Sequence, residues 1–216
     1  MGTEVFPTET APLEQAEVRR AGPDVYAEAL DRFRTLLERA QRCGLPEPTA
    51  MTLATTDAQG HPSARTVLLK EGDERGFVFY TSLTSRKARQ LAANPRAALC
   101  FFWQPLMEQV LVEGVVEQVS DEAADAYWAS RPRAHQLGAW ASCQSSRVDS
   151  PRTLDLRWVE QALKFLGRRV PRPAYWTGFR VLPHRIEFWK RRAARLHERV
   201  LYERHEARWT KAWLYP

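Results

Sequence analysis

The stretch GFVFYTSLTSRKARQL, Gly76 to Leu91, carries a strand pattern followed directly by the start of a helix. Its first half alternates, which predicts a strand with Phe77 and Phe79 on one face and Val78 on the other. Ser85 is a favourable N-cap residue, so the second half is predicted to open a helix. The stretch therefore predicts a fold that mixes β and α structure.

The first turn of this predicted helix is basic. Arg86 and Lys87 stand where the positive end of the helix dipole disfavours cations. An anion bound by the free N–H groups, the two side chains and nearby hydroxyls would offset that repulsion, because helix N-termini bind phosphate. The hydroxyls are those of Thr81, Ser82, Thr84 and Ser85. The alternative is a basic turn exposed to solvent, and the stretch taken alone favours that alternative.

The composition is that of a soluble globular protein. The chain has 216 residues, 44% hydrophobic and 27% charged, which fits one domain with one core. Its cysteines, Cys43, Cys100 and Cys143, are too far apart for a metal site and fit a reducing compartment. The N-terminus lacks a signal-peptide pattern, and the apolar runs are too short to span a bilayer. These features predict a cytoplasmic protein with no metal and no membrane contact.

The net charge of +6 leaves nucleic acid open as a partner. The strongest basic cluster is WKRRAARLHERVLYERH, Trp189 to His205. No zinc-finger spacing or RNA-binding aromatic signature accompanies it. A solvated arginine-rich edge is therefore the preferred interpretation, and no nucleic acid is predicted.

Residues 1–20 show no sustained periodicity and are predicted to form a mobile arm ahead of a single domain, residues 21–216. A helix from Pro23 to Arg42 follows, with Gly44 as its stop. Its apolar positions are Tyr26, Leu30, Phe33, Leu37 and Ala40.

The rest of the chain is mostly strand pattern. Predicted strands are MTLATT, SARTVLLK, GFVFYT, AALCFFW, EQVLVEGVVEQVS, GFRVL, RIEFWK and ERVLYER, with a last one at RWTKAWLY and a turn at EGDERG. Ser120 is predicted to cap one helix, and a second begins at Ser150 with Leu154, Trp158, Ala162 and Leu166 toward a core. Many strands and few helices predict a mainly β (α+β) fold, a closed antiparallel barrel with helices packed outside.

Two groups of polar residues are candidates for a site. If neighbouring strands pair, side chains able to bind a phosphorylated ligand converge on one rim of the barrel. They are Arg65, Lys70, Tyr80, Thr81, Arg86 and Lys87. If RLHER is extended, Arg195, His197 and Arg199 share one face, which favours something anionic or aromatic between them. The alternative is that the two arginines pair with acids such as Glu187 or Glu203.

Several motifs, taken in order, resemble the pyridoxine (pyridoxamine) 5′-phosphate oxidases. They are RTVLLK, GFVFYTSLTSRK, NPRAAL, EQVLVEG, YWASRPRAHQLGAWASCQSS, IEFW and RLHERVLY, and the similarity runs from about Glu47 to Pro216. The resemblance implies a homodimer of antiparallel split β-barrels of Greek-key type, with FMN at the subunit interface. It also implies oxidation of pyridoxamine or pyridoxine 5′-phosphate to pyridoxal 5′-phosphate by hydride transfer to the flavin. Molecular oxygen then takes the electrons and leaves hydrogen peroxide.

The resemblance also implies roles for individual residues. The expected FMN contacts are Arg65, Thr66, Val67, Lys70, Tyr80, Thr81, Arg86, Lys87, Gln109, Gln144, Ser145, Trp189 and Arg199. The expected substrate contacts are Lys70, Tyr127, Arg131, His135, Arg195 and His197. Of these, Arg195 and His197 are the expected catalytic pair over the pyridine ring. On this interpretation the anion at the opening stretch is the flavin phosphate.

The sequence departs from the family pattern mainly on the substrate side. His135 stands where the family usually has a serine that contacts the substrate phosphate, and Glu108 stands where an arginine is common. The N-terminal segment also lacks the Arg and Tyr pattern with which many members cover the substrate. Two alternatives therefore stay open: an FMN-dependent oxidase of another small molecule, as in phenazine biosynthesis, and a non-catalytic module that binds flavin or nucleic acid.

Overall fold

The computed structural model describes residues 25–216, which contain five helices and nine strands. The helices are α1 (Val25–Arg42), α2 (Arg86–Ala93), α3 (Asp121–Ser130), α4 (Arg133–Ala141) and α5 (Pro151–Lys164). The strands are β1 (Ala50–Thr56), β2 (Pro62–Leu68), β3 (Glu71–Asp73), β4 (Gly76–Ser82), β5 (Arg96–Trp103), β6 (Glu108–Gln118), β7 (Trp176–Lys190), β8 (Glu198–His205) and β9 (Arg208–Leu214). The predicted arm, residues 1–20, lies outside the described residues.

All nine strands belong to one antiparallel sheet that splits at β7. The strand order is β2-β1-β5-β6-β7-β4-β3, and β8 joins β7 with β9 beyond it. One edge of β7 pairs with β6, while the other pairs with β4 over Trp176–Val181 and with β8 over Arg185–Lys190. The sheet therefore curls into the antiparallel split barrel that the resemblance implied. The prediction of a closed barrel was wrong, because β2 and β3 end the strand order and do not pair with each other.

A bulge between β6 and β7 lies at this branch point. The register shifts between Glu113 and Gly114, where Gly114 faces Pro183. Proline lacks an N–H for the ladder, so it belongs at such an irregularity. A Cβ on Gly114 would lie 2.2 Å from the Leu182 carbonyl oxygen, so only glycine fits here. The bulge thus bends β7 between its two partners.

Helix α1 packs against the core of the barrel with the apolar side chains that its periodicity predicted. Leu30, Phe33 and Ala40 are buried, and Tyr26 and Leu37 pack partly buried against the same core. The Phe33 ring makes edge contacts with Phe77 and Phe101, both at 5.0 Å between centroids. Such pairs add to the apolar burial that holds α1 in place.

Three strand predictions need correction. GFRVL and RIEFWK form one strand, β7, because the bulge keeps the pairing continuous past Pro183. The predicted turn EGDERG contains strand β3, since the turn needs only two residues before Gly76, whose φ is +127°. RLHER is not extended throughout: Arg195 ends a 3-10 turn with φ +61°, so the predicted common face with Arg199 does not form.

The helical layer outside the barrel also differs from the prediction. Helix α4 was not predicted, although its position leaves Gln144 and Ser145 in a loop, as expected. In α5 no residue is fully buried; Leu154 is 43% and Trp158 38% exposed, and Leu166, beyond the end of α5, is 73% exposed, so placing these three toward a core was wrong. Ala162 does pack against the cluster beneath. Helix α5 packs mainly on α4, and much of its apolar surface is exposed, including Leu156 and Leu163.

Among the described helices, none is both long and apolar enough to cross a membrane.

Candidate functional site

Cationic side chains and hydroxyls from β2, β4 and the start of α2 meet at one rim of the barrel. Lys87 is buried, and its Nζ donates to Thr81 Oγ1 at 3.0 Å and to Gln144 Oε1 at 3.1 Å. The Thr81 hydroxyl donates to the same Gln144 oxygen at 2.8 Å. Ser85 caps α2 through Ala88 N, and the Arg86 N–H donates to Ser145 Oγ at 3.1 Å. These contacts tie the loop after α4 to the helix start.

Arg65 is held at this rim by neutral acceptors. Its guanidinium donates to the Leu53 carbonyl at 3.1 Å and to Thr55 Oγ1 at 2.6 Å. Gln90 Oε1 accepts from the hydroxyls of Thr55 and Ser63, both at 2.7 Å, and thereby fixes the residues around the arginine. None of these partners carries charge, so Arg65 keeps its full charge for an anion.

The electrostatics of the rim show that its cations lack a compensating charge. Burial, followed by repulsion from Arg65, lowers the pKa of Lys87 to about 8. Burial, followed by repulsion from Arg86, also lowers the pKa of Arg65. Three mutually repelling cations at a helix N-terminus form a site for an anion. Because Lys87 is buried, the alternative of a basic turn that is simply exposed to solvent is wrong for this residue.

A cavity of about 680 Å³ opens beside this rim. Its lining includes Lys70, Tyr127, Arg131 and His135, the residues expected to bind the substrate phosphate. It also includes Val67, Tyr80, Thr81 and Gln144, which were expected to contact the cofactor. Thr66 is exposed on the edge strand β2 and does not line the cavity. The structure therefore brings these four expected cofactor residues and the four expected phosphate residues together in one cavity.

Arg131 has an unsatisfied atom in this cavity wall. Its Nη1 is buried without a hydrogen-bond partner among the described residues. The guanidinium carbon lies 4.7 Å from the ring centroid of Trp176 and 5.1 Å from that of Trp128, contacts that favour a cation. Burial lowers its pKa. A buried donor without an acceptor is costly, and a phosphate oxygen would satisfy it.

Stacked aromatic rings form one wall of the cavity. Tyr80 stacks on Tyr127 with 4.0 Å between centroids and on Trp176 with 5.2 Å. The Tyr80 hydroxyl donates to Glu71, and burial raises its pKa to about 12. A Cβ on Gly178 would lie 2.7 Å from the Tyr80 ring, so glycine permits the close approach. The sequence analysis did not identify Trp176 as a site residue. The available signal was its position two residues before Gly178 in a strand, which puts both on the same face.

A second cavity, of about 710 Å³, lies at the far end of β7. It is lined by Met107, Trp189, Arg191, Arg192, Ala193, Ala194, Arg195 and His197. His197 packs on Trp189 with 4.8 Å between ring centroids. The expected catalytic pair therefore lines a cavity of its own, beside a tryptophan expected to contact the cofactor.

Three more expected cofactor residues share one rung of the sheet here. Gln109 pairs with Trp189, and Trp189 pairs with Arg199 across β6, β7 and β8. Arg199 Nε also donates to Glu187 at 2.7 Å, and this hydrogen bond raises the pKa of Arg199. The alternative of an ion pair with Glu187 is thus confirmed for Arg199. Arg195 has no such acid within 4.0 Å in residues 25–216.

The two groups of expected site residues are far apart in one chain. Tyr80 pairs with Gly178 near the start of β7, whereas Gln109 pairs with Trp189 near its end. Eleven residue steps along β7 join these two rungs, a contour length of about 35 Å for an extended strand. No residue lines both cavities. One copy of the chain does not close both groups around one small ligand.

Glu108, a departure from the family pattern, is accommodated by ion pairs. It is buried and accepts a hydrogen bond from Arg39 on α1 at 3.0 Å, and Lys190 lies 3.8 Å away. The acid therefore fastens α1 to the barrel. No group of three or more potential metal ligands occurs in the part of the chain that the structure describes.

Comparisons with known proteins agree with this architecture. A sequence model described as "Pyridoxamine 5′-phosphate oxidase" matches residues 37–162, and one described as "Pyridoxine 5′-phosphate oxidase C-terminal dimerisation region" matches residues 176–216. A pyridoxine/pyridoxamine 5′-phosphate oxidase of Myxococcus xanthus is 52% identical over 187 residues, 87% of this chain and 91% of the relative.

Two solved structures resemble the fold. PhzG from Burkholderia lata, in complex with tetrahydrophenazine-1-carboxylic acid, has a TM-score of 0.83 at 30% identity, covering 92% of this chain and 99% of its own. A pyridoxamine 5′-phosphate oxidase-related, FMN binding protein from Nostoc punctiforme has a TM-score of 0.64 at 20% identity, covering 91% and 99%. The fold is that of a curled antiparallel split-barrel protein, the kind that both solved structures represent. By its sequence, the chain belongs to the pyridoxamine 5′-phosphate oxidase family.

Proposed function

We propose that this protein is an FMN-dependent oxidase that converts pyridoxamine or pyridoxine 5′-phosphate to pyridoxal 5′-phosphate. The observation that carries the proposal is the buried, unpartnered Nη1 of Arg131 in a cavity that adjoins a separate cluster of cations. A phosphorylated substrate and a phosphorylated cofactor each require one such site. The family relationship, with relatives near 52% identity, supports the same assignment. The domain is proposed to span residues 21–216.

The rim cluster fits the FMN phosphate. Arg65, Arg86 and Lys87 supply positive charge, and the start of α2 supplies N–H donors. Thr81, Gln144 and Ser145 already form hydrogen bonds to the residues of this cluster and so hold it in position. When bound, the cofactor supplies the acceptor for a hydride from the 4′ carbon, and molecular oxygen takes the electrons and leaves hydrogen peroxide.

The cavity beside the rim fits the substrate phosphate. Arg131 presents its free donor, and Lys70 and His135 line the same space. Tyr127 lies with its ring 6.0 Å from Lys70 Nζ and stacks on Tyr80, which orients the wall. An imidazole can donate one hydrogen bond to a phosphate in place of a hydroxyl. His135 therefore keeps the donor that a serine supplies elsewhere in the family.

The catalytic assignment requires two copies of the chain. Arg195 and His197 line the second cavity and are proposed to cover the substrate ring bound by the partner subunit. The matched dimerisation region, residues 176–216, contains both of them and supports a homodimer. In this arrangement Gln109, Trp189 and Arg199 reach the flavin from the other subunit. The cationic side chains hold the ring in position and stabilise negative charge near it.

A second candidate is an FMN-dependent oxidase of another small molecule. The similarity to PhzG, solved in complex with tetrahydrophenazine-1-carboxylic acid, favours it, as does the replacement at His135. Against it, Lys70, Tyr127 and Arg131 line one cavity and supply donors that a substrate without a phosphate does not need. The vitamin B6 phosphate is therefore the proposed substrate.

The purified protein provides the test. Its visible spectrum is recorded, pyridoxamine or pyridoxine 5′-phosphate is added in air, and aldehyde and peroxide are measured together. A flavin spectrum with equal amounts of both products is the expected result. A flavin spectrum without either product would move the assignment to the second candidate. Neither flavin nor product would leave a non-catalytic module.

A further inference from the structure

The connection between β7 and β8 carries more positive charge than the proposed chemistry uses. Residues 190–195 read KRRAAR, and only Arg195 has a proposed role. Arg191 and Arg192 are exposed and line the second cavity together with Arg195 and His197. Two further guanidinium groups thus stand beside the residues proposed to cover the substrate.

These arginines have no acidic partner in residues 25–216. No described carboxylate lies within 4.0 Å of the side chains of Arg191, Arg192 or Arg195. The acids of the neighbouring strands are engaged elsewhere. Glu108 pairs with Arg39 and Lys190, and Glu198 pairs with Arg32 at 3.3 Å. The charge of the loop is therefore uncompensated.

The backbone of the loop is held in place. Arg191 N donates to the Met107 carbonyl at 3.0 Å, and Arg192 N donates to His197 Nδ1 at 3.3 Å. Ala194 and Arg195 have φ of +54° and +61°, a left-handed region that L residues rarely adopt. A loop kept in such a conformation presents its arginines toward the cavity at a defined place.

We propose that Arg191 and Arg192 form an anion-capture surface at the mouth of the substrate site. It draws the doubly charged phosphate ester toward the shared site before the partner subunit's Lys70 and the partner's Arg131 bind the phosphate. Clefts lined by one sign of charge raise the local concentration of an oppositely charged ligand. The inference rests on the proposed function, because it takes the substrate to be a phosphate ester, and it adds two recognition residues to the site.

Salt provides the discriminating variable, because attraction by exposed charges is screened whereas a direct contact largely is not. The test variant is Arg191→Ser with Arg192→Ser. The matched control is Arg168→Ser with Arg169→Ser, an exposed adjacent pair that removes the same charge away from both cavities discussed. Both variants keep the backbone hydrogen bonds of their segments.

Two readouts are used on the flavin-loaded protein. The first is kcat/KM for pyridoxamine 5′-phosphate at about 20 mM and about 400 mM KCl. The second is the Kd of 4-deoxypyridoxine 5′-phosphate, which cannot be oxidised at the 4′ carbon, measured by calorimetry at the same salt concentrations. At low salt we expect the test variant to have a kcat/KM about three- to tenfold lower and a Kd about three- to tenfold higher than the wild type. At high salt both differences should shrink to less than about twofold. The control is expected to match the wild type.

The outcomes separate this inference from the proposed function. A test variant equal to the control, or a deficit that persists unchanged at high salt, would overturn the capture surface. If the wild type oxidises no vitamin B6 phosphate, but the test variant still binds the deoxy analogue more weakly than the control at low salt only, the oxidase function is refuted and the capture surface is retained. The calorimetric readout makes this possible because it requires no turnover.

Discussion

Lys87 is a buried cation whose hydrogen-bond partners, Thr81 and Gln144, are both neutral. Burial of a charged amine without a counter-charge is unfavourable, so the pKa of Lys87 falls to about 8. Arg131 resembles it, with a buried donor that has no acceptor among the described residues. At both positions the protein alone leaves a residue unsatisfied that an anionic ligand would satisfy.

The first prediction concerns the pH dependence of cofactor binding. Without ligand the pKa of Lys87 is about 8, and a bound phosphate favours the charged amine and raises that pKa. Above pH 8, FMN binding therefore takes up a proton, and its Kd should rise, approaching tenfold per pH unit. A Lys87→Arg variant keeps its charge, so its Kd should stay flat over the same range. Titration of flavin fluorescence between about pH 7 and pH 9 measures both.

A second prediction concerns substrate selection by Arg131. Lysine at this position keeps the charge but loses the planar, two-pronged donor. We expect Arg131→Lys to raise KM for pyridoxine 5′-phosphate by about ten- to a hundredfold, the cost of a charge-assisted hydrogen bond. KM for unphosphorylated pyridoxine, the control substrate, should change little. Equal losses with both substrates would contradict a contact to the phosphate.

At the scale of elements, β7 determines where the site residues lie. Its first half pairs with β4 and places the aromatic wall, while its second half pairs with β8 and places Trp189. The bulge opposite Pro183 lets one strand serve both halves of the sheet. Small backbone changes at this point should therefore affect the whole barrel.

Gly114 tests this dependence. A Gly114→Ala change puts a methyl group 2.2 Å from the Leu182 carbonyl oxygen, so we expect a loss of about 1–3 kcal/mol in the free energy of unfolding. Gly138→Ala is the matched control, since it lies in α4 with no heavy atom within 4 Å of the new Cβ. Alanine favours a helix by roughly 0.5–1 kcal/mol over glycine. Denaturant unfolding at one protein concentration compares the two, and similar stability in both would refute the close approach.

The sequence predicted many elements and failed where tertiary contacts decide. Alternation and N-cap residues were enough for β4 and α2, because these signals are local. The turn at Arg195 was missed because its left-handed φ is held by hydrogen bonds within a loop that no periodicity marks. The face of α5 was misjudged because its pattern shows amphipathicity but not what covers it.

The sequence named many of the residues that line the two cavities, but not how they are grouped. The motifs named the residues, and the structure places Lys70, Tyr127 and Arg131 in one cavity and Arg195 and His197 in another. Only strand register reveals that these groups lie at opposite ends of β7. Register depends on pairing between segments about a hundred residues apart, which local patterns do not encode.

For the whole molecule, separation of the two groups predicts complementation between inactive variants. One variant carries Arg86→Ala and Lys87→Ala, the other Arg195→Ala and His197→Ala, and each is expected to be inactive alone. If each site takes one group from each subunit, a mixed dimer keeps one intact site of its two. Random reassembly of equal amounts gives half mixed dimers, hence about a quarter of wild-type activity.

The measurement is activity after the two variants are unfolded together and refolded. Variants refolded separately and then combined are the control, and they should stay inactive unless the subunits exchange. Light scattering checks that the refolded protein is dimeric. Persistent inactivity of a mixed, dimeric, flavin-loaded sample would argue for a site built within one chain.

The shared strand β7 also has a consequence for how the chain is made. Its partners β4 and β6 are synthesised well before it, and β8 follows it near the C-terminus. Domains emerge from the ribosome N-terminal end first, and pairings between distant segments form late. Until β7 has been synthesised, β4 and β6 each present an unpaired edge that can pair with another nascent chain. The yield of folded protein should therefore depend on how well chaperones protect those edges during synthesis.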